Sequence, residues 1–281
     1  MDVKTFDADG LDRRYRLSYT VFGDPDAGRT VICVHGLTRN GRDFDALASA
    51  IADKAFVICP DVVGRGRSDW LDDPSGYDVP TYAGHMLQLI QHLGVAEVDW
   101  IGTSMGGLIG MGIAAMEESP IRRLVLNDVG PFIPKAALER IGAYLGLELT
   151  FDDLAALEDH LRQIHAPFGP LSDEQWAHLA VHSARQREDG KVVLSYDPNI
   201  AAPFKNTPLE DVDLWALWET IRCPTLVVRG AESDLLLEDT AERMTTTGPK
   251  ADLYTVDGAG HAPALMASDQ IETIKTWLLT A

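Results

Sequence analysis

The sequence predicts an α/β fold in which a mostly parallel central sheet is flanked by helices. Short segments that are apolar at nearly every position, such as 30–36 (TVICVHG) and 55–61 (AFVICPD), alternate with segments that carry apolar residues at helical spacing. Strands of this kind are typical of parallel sheets with helices on both faces. The alternation stops at Pro131 and resumes near residue 224, so we also expect a helical insertion.

The elements before Pro131 follow one another at the short intervals expected of strand–helix units. The predicted strands are 13–23, 30–36, 55–61, 98–104 and 122–130. The predicted helices are 40–53, 81–95 and a helix that begins near Met105. Gly94 is expected to end the helix over 81–95, because glycine readily adopts the left-handed conformation that terminates helices.

Residues 131–215 are expected to form mainly helices. At about 85 residues, this stretch is too long for an ordinary loop. Strand–helix alternation then resumes with strands over 224–230 and 251–258 and helices near 238–247 and over 268–280. We therefore expect a core formed by residues 1–130 and 216–281, interrupted by a helical insertion over residues 131–215.

The charge balance limits the partners that this chain can have. Its 281 residues include 24 lysines and arginines against 43 aspartates and glutamates, a formal net charge of −19. Such a surface repels the phosphates of nucleic acids and anionic lipid headgroups, so we expect neither nucleic acid nor a membrane as a partner.

Cysteine usage and the amino terminus favour a cytoplasmic protein. The three cysteines, Cys33, Cys59 and Cys223, lie in or beside apolar segments and are expected to be buried free thiols, as in a reducing compartment. The first residues contain no apolar core of a secretory signal, and no stretch is apolar enough to span a bilayer.

Ser104 is the candidate nucleophile, because it lies at the centre of Gly102-Thr103-Ser104-Met105-Gly106. The pattern G-x-S-x-G also arises by chance, but here it ends a predicted buried strand and opens a predicted helix. This is the setting of a nucleophile elbow, a sharp turn that exposes the serine hydroxyl above the sheet. The alternative is a glycine-rich turn whose serine only caps a helix.

His261 is the candidate base, since a serine hydroxyl needs a base to take its proton. It lies in DGAGHAP after the last predicted strand and fits the chain order Ser, Asp, His. His178 and His182 lie four residues apart, a spacing found in metal sites, but no acidic ligand set accompanies them in the sequence. A solvated helix face is the simpler interpretation of that pair, and we expect no metal.

Asp234 is the preferred candidate for the acid that orients His261. It follows the strand over 224–230 and lies between Ser104 and His261 in the chain. Asp128, in LNDVG, is the main alternative, although it could instead be a structural carboxylate that accepts backbone N–H bonds. Glu232 and Asp257 are weaker alternatives.

Two backbone N–H groups are expected to stabilise a developing oxyanion. Met105 supplies one, because it directly follows the nucleophile. The loop after the strand over 30–36 should supply the other, with Leu37 as the candidate donor. Leu37 could alternatively form only a pocket wall. Arg65, in GRGRSD, is expected to belong to a structural turn.

Six motifs in this order resemble those of the α/β-hydrolase superfamily, and the resemblance covers essentially the whole chain. They are HGLTRN, PDVVGRGRSD, GTSMGG, NDVGP, VVRGAESD and GAGHAP. The chain is also similar to bacterial serine carboxylesterases that carry a helical cap between core strands six and seven. The resemblance therefore implies an α/β-hydrolase fold in which residues 131–215 form the cap.

The resemblance also implies an activity. Ser104 would attack a small to medium carboxylic ester, His261 would shuttle the proton, Asp234 would hold His261, and water would release the acyl group without any cofactor. We expect a small-molecule substrate and a monomer or small homo-oligomer. The alternatives are a lactonase or perhydrolase, a carbon–carbon bond hydrolase of the meta-cleavage-product type, for which Arg185 and Arg187 could bind a carboxylate, and a ligand-sensing module.

The acyl-enzyme mechanism makes a direct prediction for Ser104. A serine-directed phosphonate should add one adduct mass to the protein, located at Ser104 by peptide mass spectrometry, because an activated hydroxyl attacks phosphorus as it attacks a carbonyl. Ser104→Ala should take up no label. Recovery of an unlabelled Ser104 with hydrolytic activity intact would contradict the mechanism.

Overall fold

The structure is a computed structural model that describes residues 1–10 and 12–279. Its strands form one central sheet and two small two-stranded sheets. The strands of the central sheet are β1 (Asp2–Asp9), β2 (Arg14–Phe22), β3 (Thr30–Val34), β4 (Phe56–Pro60), β5 (Val98–Thr103), β6 (Ile121–Asn127), β11 (Thr225–Gly230) and β12 (Asp252–Val256). The short strands are β7 (Phe132–Ile133), β8 (Ala184–Gln186), β9 (Val192–Leu194) and β10 (Val212–Asp213).

Helices occupy both faces of the sheet and most of the segment between β6 and β11. They are α1 (Asp45–Ile51), α2 (Val79–Leu93), α3 (Met105–Ala114), α4 (Lys135–Tyr144), α5 (Leu154–Ile164), α6 (Asp173–Ser183), α7 (Ala202–Asn206), α8 (Trp215–Trp218), α9 (Glu238–Thr246) and α10 (Ser268–Leu279). The predicted last helix extends to Thr280, which lies outside the described residues.

The central sheet has eight strands in the order β1-β2-β4-β3-β5-β6-β11-β12. The pairs from β4 to β12 are parallel, whereas β2 pairs antiparallel with both β1 and β4. The predicted mostly parallel sheet flanked by helices is therefore confirmed. Strand β1 was not predicted, because six of its eight residues are exposed at the sheet edge and it lacks the continuous apolar pattern of the buried strands.

The core lies on both faces of the sheet, as strand β5 illustrates. Successive side chains of a strand point to opposite faces. Trp100 packs in the apolar cluster that includes Met86 and Leu89 of α2, while Ile101 packs in the cluster that includes Ile51 of α1. Both β5 residues are fully buried, which explains why this strand is apolar at nearly every position.

Helix α2 begins and ends where its sequence indicates. The Asp78 side chain caps the amino terminus by accepting a hydrogen bond from the Thr81 N–H at 2.8 Å. Gly94, with φ 69°, terminates the helix in the left-handed conformation.

The segment between β6 and β11 contains α4 to α8 and is closed at its base by a small ladder. There β7 and β10 pair antiparallel, with Ile133 opposite Val212. Helices α5 and α6 enclose a separate apolar cluster that includes Leu157, Leu161 and Trp176. We call residues 131–215 the insertion. Its role as a cap over the site stays a prediction.

No helix among the described residues combines the length and apolar character that crossing a bilayer requires.

Close packing around the turn after β5 predicts opposite effects for two glycines of α3. A Cβ at Gly106 would lie 2.0 Å from the Val34 carbonyl oxygen, whereas one at Gly112 would meet nothing within 4 Å. Gly106→Ala should lower the free energy of unfolding by roughly 3 kcal/mol, because a backbone must move. Gly112→Ala should raise it by about 0.5–1 kcal/mol, since alanine favours helix. Urea unfolding measures both, and equal stabilities for the two variants would contradict the prediction.

Candidate active site

Ser104 lies on a strained turn between β5 and α3. Its φ is 50° and its ψ is −111°, a conformation that residues with a side chain rarely adopt. The Ser104 N–H donates to the Asn127 carbonyl at 2.9 Å, and the Ser104 carbonyl accepts from Gly107 and Leu108 at the start of α3. These bonds hold the turn, so the half-buried hydroxyl projects from the carboxyl edge of the sheet.

His261 lies between the Ser104 hydroxyl and a buried carboxylate. Its Nε2 is 3.0 Å from Ser104 Oγ, and its Nδ1 is 2.8 Å from Oδ2 of Asp128. The imidazole is 11% exposed and the Asp128 side chain is fully buried. The structure thus brings the predicted residues Ser104 and His261 together. The third member of this hydrogen-bonded series is Asp128, the main alternative to Asp234.

Asp128 directly follows β6 and is surrounded by hydrogen-bond donors. Its Oδ1 accepts from the Gly230 N–H at 2.8 Å, and its Oδ2 accepts from the Ser233 hydroxyl at 2.6 Å as well as from His261. Its own N–H donates to the Val228 carbonyl at 2.7 Å. A buried charge is costly unless it is paired and hydrogen-bonded, and these donors meet that requirement.

The prediction that Asp234 holds His261 is wrong. Asp234 is 51% exposed and binds the Arg140 guanidinium of α4, with N···O distances of 2.5 and 2.8 Å. Asp128 and Asp234 follow the adjacent parallel strands β6 and β11, so both reach the same sheet edge and both satisfy the chain order. At the β11 loop, Ser233 points inward to Asp128 while Asp234 points outward. Of the weaker alternatives, Glu232 and Asp257 are both exposed.

Of the two predicted oxyanion donors, Met105 follows Ser104 in the chain, whereas Leu37 belongs to a loop that approaches Ser104 in space. Met105 is the first residue of α3, and the N–H groups of a first helical turn have no acceptor within the helix. Leu37 follows Gly36, where a Cβ would lie 3.9 Å from Cβ of Ser104. Their role as oxyanion donors stays a prediction that this proximity supports.

Arg65 links the two predicted oxyanion residues, a role the sequence analysis did not foresee. Its side chain is fully buried; Nε donates to the Leu37 carbonyl at 2.9 Å, and Nη2 lies 3.6 Å from Sδ of Met105. The guanidinium also lies 4.8 Å from the centroid of the Tyr82 ring. The GRGRSD motif is therefore more than a turn, since Arg65 contacts both Leu37 and Met105.

His35 fixes the start of the same loop. Its Nε2 accepts from the Val62 N–H at 3.0 Å, so the ring proton is on Nδ1, which donates to the Gly36 carbonyl at 2.7 Å. Burial lowers the pKa of His35 to about 4, which leaves the imidazole neutral at pH 7. A neutral ring is what this pair of bonds requires, because an imidazolium could not accept from Val62.

Asn127 is a further positioning residue that the sequence analysis missed. Its Nδ2 donates to Thr103 Oγ1 at 3.0 Å and to the Pro263 carbonyl at 2.8 Å, while its own carbonyl accepts from Ser104. One buried side chain thus connects the loops that carry Ser104, Asp128 and His261. Its place next to Asp128, in LNDVG, was the only signal in the sequence.

The insertion lies against the His261 loop. The Gly260 N–H donates to the Pro167 carbonyl of the insertion at 2.7 Å, and the Ala264 N–H donates to that of Phe168 at 3.2 Å. Phe168 of the insertion and His35 and Thr103 of the core line one small cavity of about 20 Å³. The insertion therefore covers one side of the site.

The geometry predicts different effects for two aspartates on Ser104 reactivity. Asp128→Asn should slow phosphonate labelling of Ser104 by roughly 10³–10⁴-fold, because an amide no longer favours the His261 tautomer with its proton on Nδ1. The control Asp234→Asn, one residue past Ser233, should label at nearly the wild-type rate. The reverse pattern would restore Asp234 as the orienting acid.

Comparison with known proteins identifies the family to which this fold belongs. The family model for the α/β-hydrolase fold matches residues 29–266. The 3-hydroxybutyrate-oligomer hydrolase of Cupriavidus necator is 48% identical over 265 residues, covering 92% of this chain and 90% of that protein. The 2-(acetamidomethylene)succinate hydrolase of Mesorhizobium japonicum is 27% identical, covering 84% and 82%.

A solved structure of an α/β hydrolase from Novosphingobium aromaticivorans superposes with a TM-score of 0.86 at 34% identity, over 99% of this chain and 97% of that one. The match therefore extends through the insertion as well as the sheet. On the strength of this sequence and structural similarity, the chain is a hydrolase that belongs to the α/β-hydrolase family.

Proposed function

We propose that this protein is a serine esterase that hydrolyses short, soluble oligoesters of 3-hydroxy acids. The hydrogen-bonded series Ser104–His261–Asp128 carries the reaction type, since it has the geometry of an activated serine nucleophile. The substrate class follows the Cupriavidus necator relative, whose name gives 3-hydroxybutyrate oligomers as its substrate.

The proposed reaction begins when His261 Nε2 takes the Ser104 proton as Oγ attacks the ester carbonyl. The resulting oxyanion accepts hydrogen bonds from the backbone N–H groups of Leu37 and Met105. When the tetrahedral intermediate collapses, the imidazolium gives its proton to the departing alkoxide and an acyl-serine remains. Water, deprotonated by His261, then attacks this ester, and Ser104 regains its proton as the carboxylic acid leaves.

Asp128 has two tasks in this scheme. First, it accepts a hydrogen bond from the Nδ1–H group of His261, so that the lone pair of Nε2 is directed at Ser104. Second, its negative charge stabilises the imidazolium that forms during each step. Ser233 and the Gly230 N–H hold the carboxylate in place, so that it cannot turn away from His261. Because the carboxylate is fully buried, water does not screen its attraction to the imidazolium.

Two cavities under the insertion support an extended substrate. The smaller, of about 30 Å³, has Thr38, the neighbour of Leu37, in its lining. The larger, of about 410 Å³, includes Arg185 and Arg187 in its lining. The two cavities share the walls Leu147, Leu149, Leu194 and Tyr196.

The chemistry of the larger cavity suits the end of an oligoester. A soluble hydroxybutyrate oligomer combines apolar repeating units with one terminal carboxylate. Arg185 lies with its guanidinium 5.1 Å from the Trp70 ring, and Arg187 is 3.0 Å from Asp189. We propose that Arg185 receives the terminal carboxylate, because no ion pair occupies it among the described residues.

Hydrolysis of 3-hydroxybutyrate dimer and trimer, followed by release of the monomer acid, tests the substrate class. Wild-type protein should turn over the oligomers, and Ser104→Ala should reduce kcat by more than about 10³-fold. Arg185→Met should raise KM for the trimer and leave the hydrolysis of p-nitrophenyl butyrate, which has no carboxylate, unchanged. Arg14→Met, which removes an exposed arginine paired with Asp9, is the matched control.

Other outcomes of these assays would favour one of the alternative functions. Turnover of p-nitrophenyl esters without turnover of oligomers would retain the esterase and overturn the oligoester. Labelling of Ser104 without any ester turnover would favour the carbon–carbon bond hydrolase or an amide hydrolase over the esterase. Ligand-dependent protection without turnover would favour a sensor.

A further inference from the structure

Three potential metal ligands meet where the insertion contacts the core. Asp45 opens α1 in the core, while His178 and His182 lie four residues apart on α6 of the insertion. One ligand atom from each of the three residues lies within 4.8 Å of the others. Nε2 of His178 is 3.6 Å from Oδ2 of Asp45, and the two imidazole centroids are 4.6 Å apart.

These separations are close to those of a bound zinc ion. Ligand atoms about 2.0–2.1 Å from a tetrahedral Zn²⁺ lie about 3.3 Å from one another. Small side-chain rotations would therefore bring all three groups to one ion. Oδ2 and Nε2 are already within a few tenths of an ångström of that value. Positions i and i+4 place both histidines on the same helix face, directed at α1.

The protonation states also suit a metal. Burial lowers the pKa of His182 to about 4, so its imidazole is neutral at pH 7 and has a lone pair to offer. Nε2 of His178 is 2.9 Å from the Arg42 carbonyl, to which it donates its proton. Coordination through Nε2 would require the tautomer with its proton on Nδ1, so the proton would move from one ring nitrogen to the other and the imidazole would stay neutral.

Arg42 is the one cation in direct contact with the cluster among the described residues. Its guanidinium hydrogen-bonds both oxygens of the Asp45 carboxylate. A carboxylate oxygen has two lone pairs, and carboxylates that bind metals commonly keep a hydrogen bond to an outer partner. Arg42 therefore orients Asp45, and because its Nε and Nη2 both donate to Oδ2, a metal bound at Oδ2 would displace one of these two donors. Its positive charge lowers the affinity of the site without blocking it.

We propose that Asp45, His178 and His182 form a binding site for Zn²⁺ or a similar divalent transition metal, which cross-links the insertion to the core. Two imidazoles and one carboxylate are a ligand set that suits zinc and disfavours magnesium. Asp45 and His178 also line an open cavity of about 450 Å³, through which water can reach the fourth coordination position. The site is separate from Ser104, and the proposal does not rest on the proposed function.

Isothermal titration of the metal-free protein with ZnCl₂, at pH 7, tests the proposal. Wild type should bind one Zn²⁺ per chain and should not bind Mg²⁺ at the same concentration. His178→Gln, His182→Gln and Asp45→Asn should each weaken binding by about tenfold or more. His92→Gln, which alters an exposed histidine of α2, controls for adventitious binding to surface imidazoles and should change nothing.

A second measurement keeps the proposal testable if a variant fails to fold. Co²⁺ added to the wild type should give the intense visible absorption of a tetrahedral site, which Zn²⁺ then abolishes. Zn²⁺ should also raise the Tm of the wild type, because it binds only when α1 and α6 are in contact. Zn²⁺ affinity unaffected by either histidine substitution, or a wild type with neither the Co²⁺ band nor a rise in Tm, would overturn the proposal.

Discussion

The buried carboxylate of Asp128 is the interaction on which the arrangement of the site depends. An isolated charge in this position would be strongly unfavourable, so each of its oxygens must receive donors. Those donors come from the end of β11, through Gly230, from the loop that follows it, through Ser233, and from the loop after β12, through His261. Any shift of one loop leaves the charge unsatisfied. The electrostatic requirement of one side chain therefore fixes the carboxyl ends of three strands relative to one another.

On the side of the site that faces β3, the backbone is held in place by close packing and by hydrogen bonds to the neutral imidazole of His35 and the guanidinium of Arg65. Gly106 allows the turn after β5 to approach the Val34 carbonyl so closely that no Cβ would fit between them. His35 can bridge two backbone groups only while neutral, and burial keeps it so. Arg65 extends this support to Leu37 and Met105. The proposed oxyanion donors thus rest on a rigid base, as preorganised electrostatic stabilisation requires.

Contacts to the insertion connect this core to the rest of the molecule. The Pro167 carbonyl accepts from the His261 loop, Arg140 binds Asp234, and α6 places its two histidines against α1. Asp234 therefore contributes to the junction between insertion and core. A metal ion at the junction of α1 and α6 would add a further link between the insertion and the core.

Local pattern was enough to predict the sheet, the turn at Ser104 and the loop of His261, because buried parallel strands and glycine-rich turns have strong sequence signatures. Pattern could not separate Asp128 from Asp234, since both follow neighbouring strands and satisfy the same chain order. Nor could it join Asp45 to His178 and His182, which are more than a hundred residues away in the chain. Tertiary structure decided these points: burial, loop direction and the docking of α6 determine which polar groups meet, and none of them is encoded in local spacing.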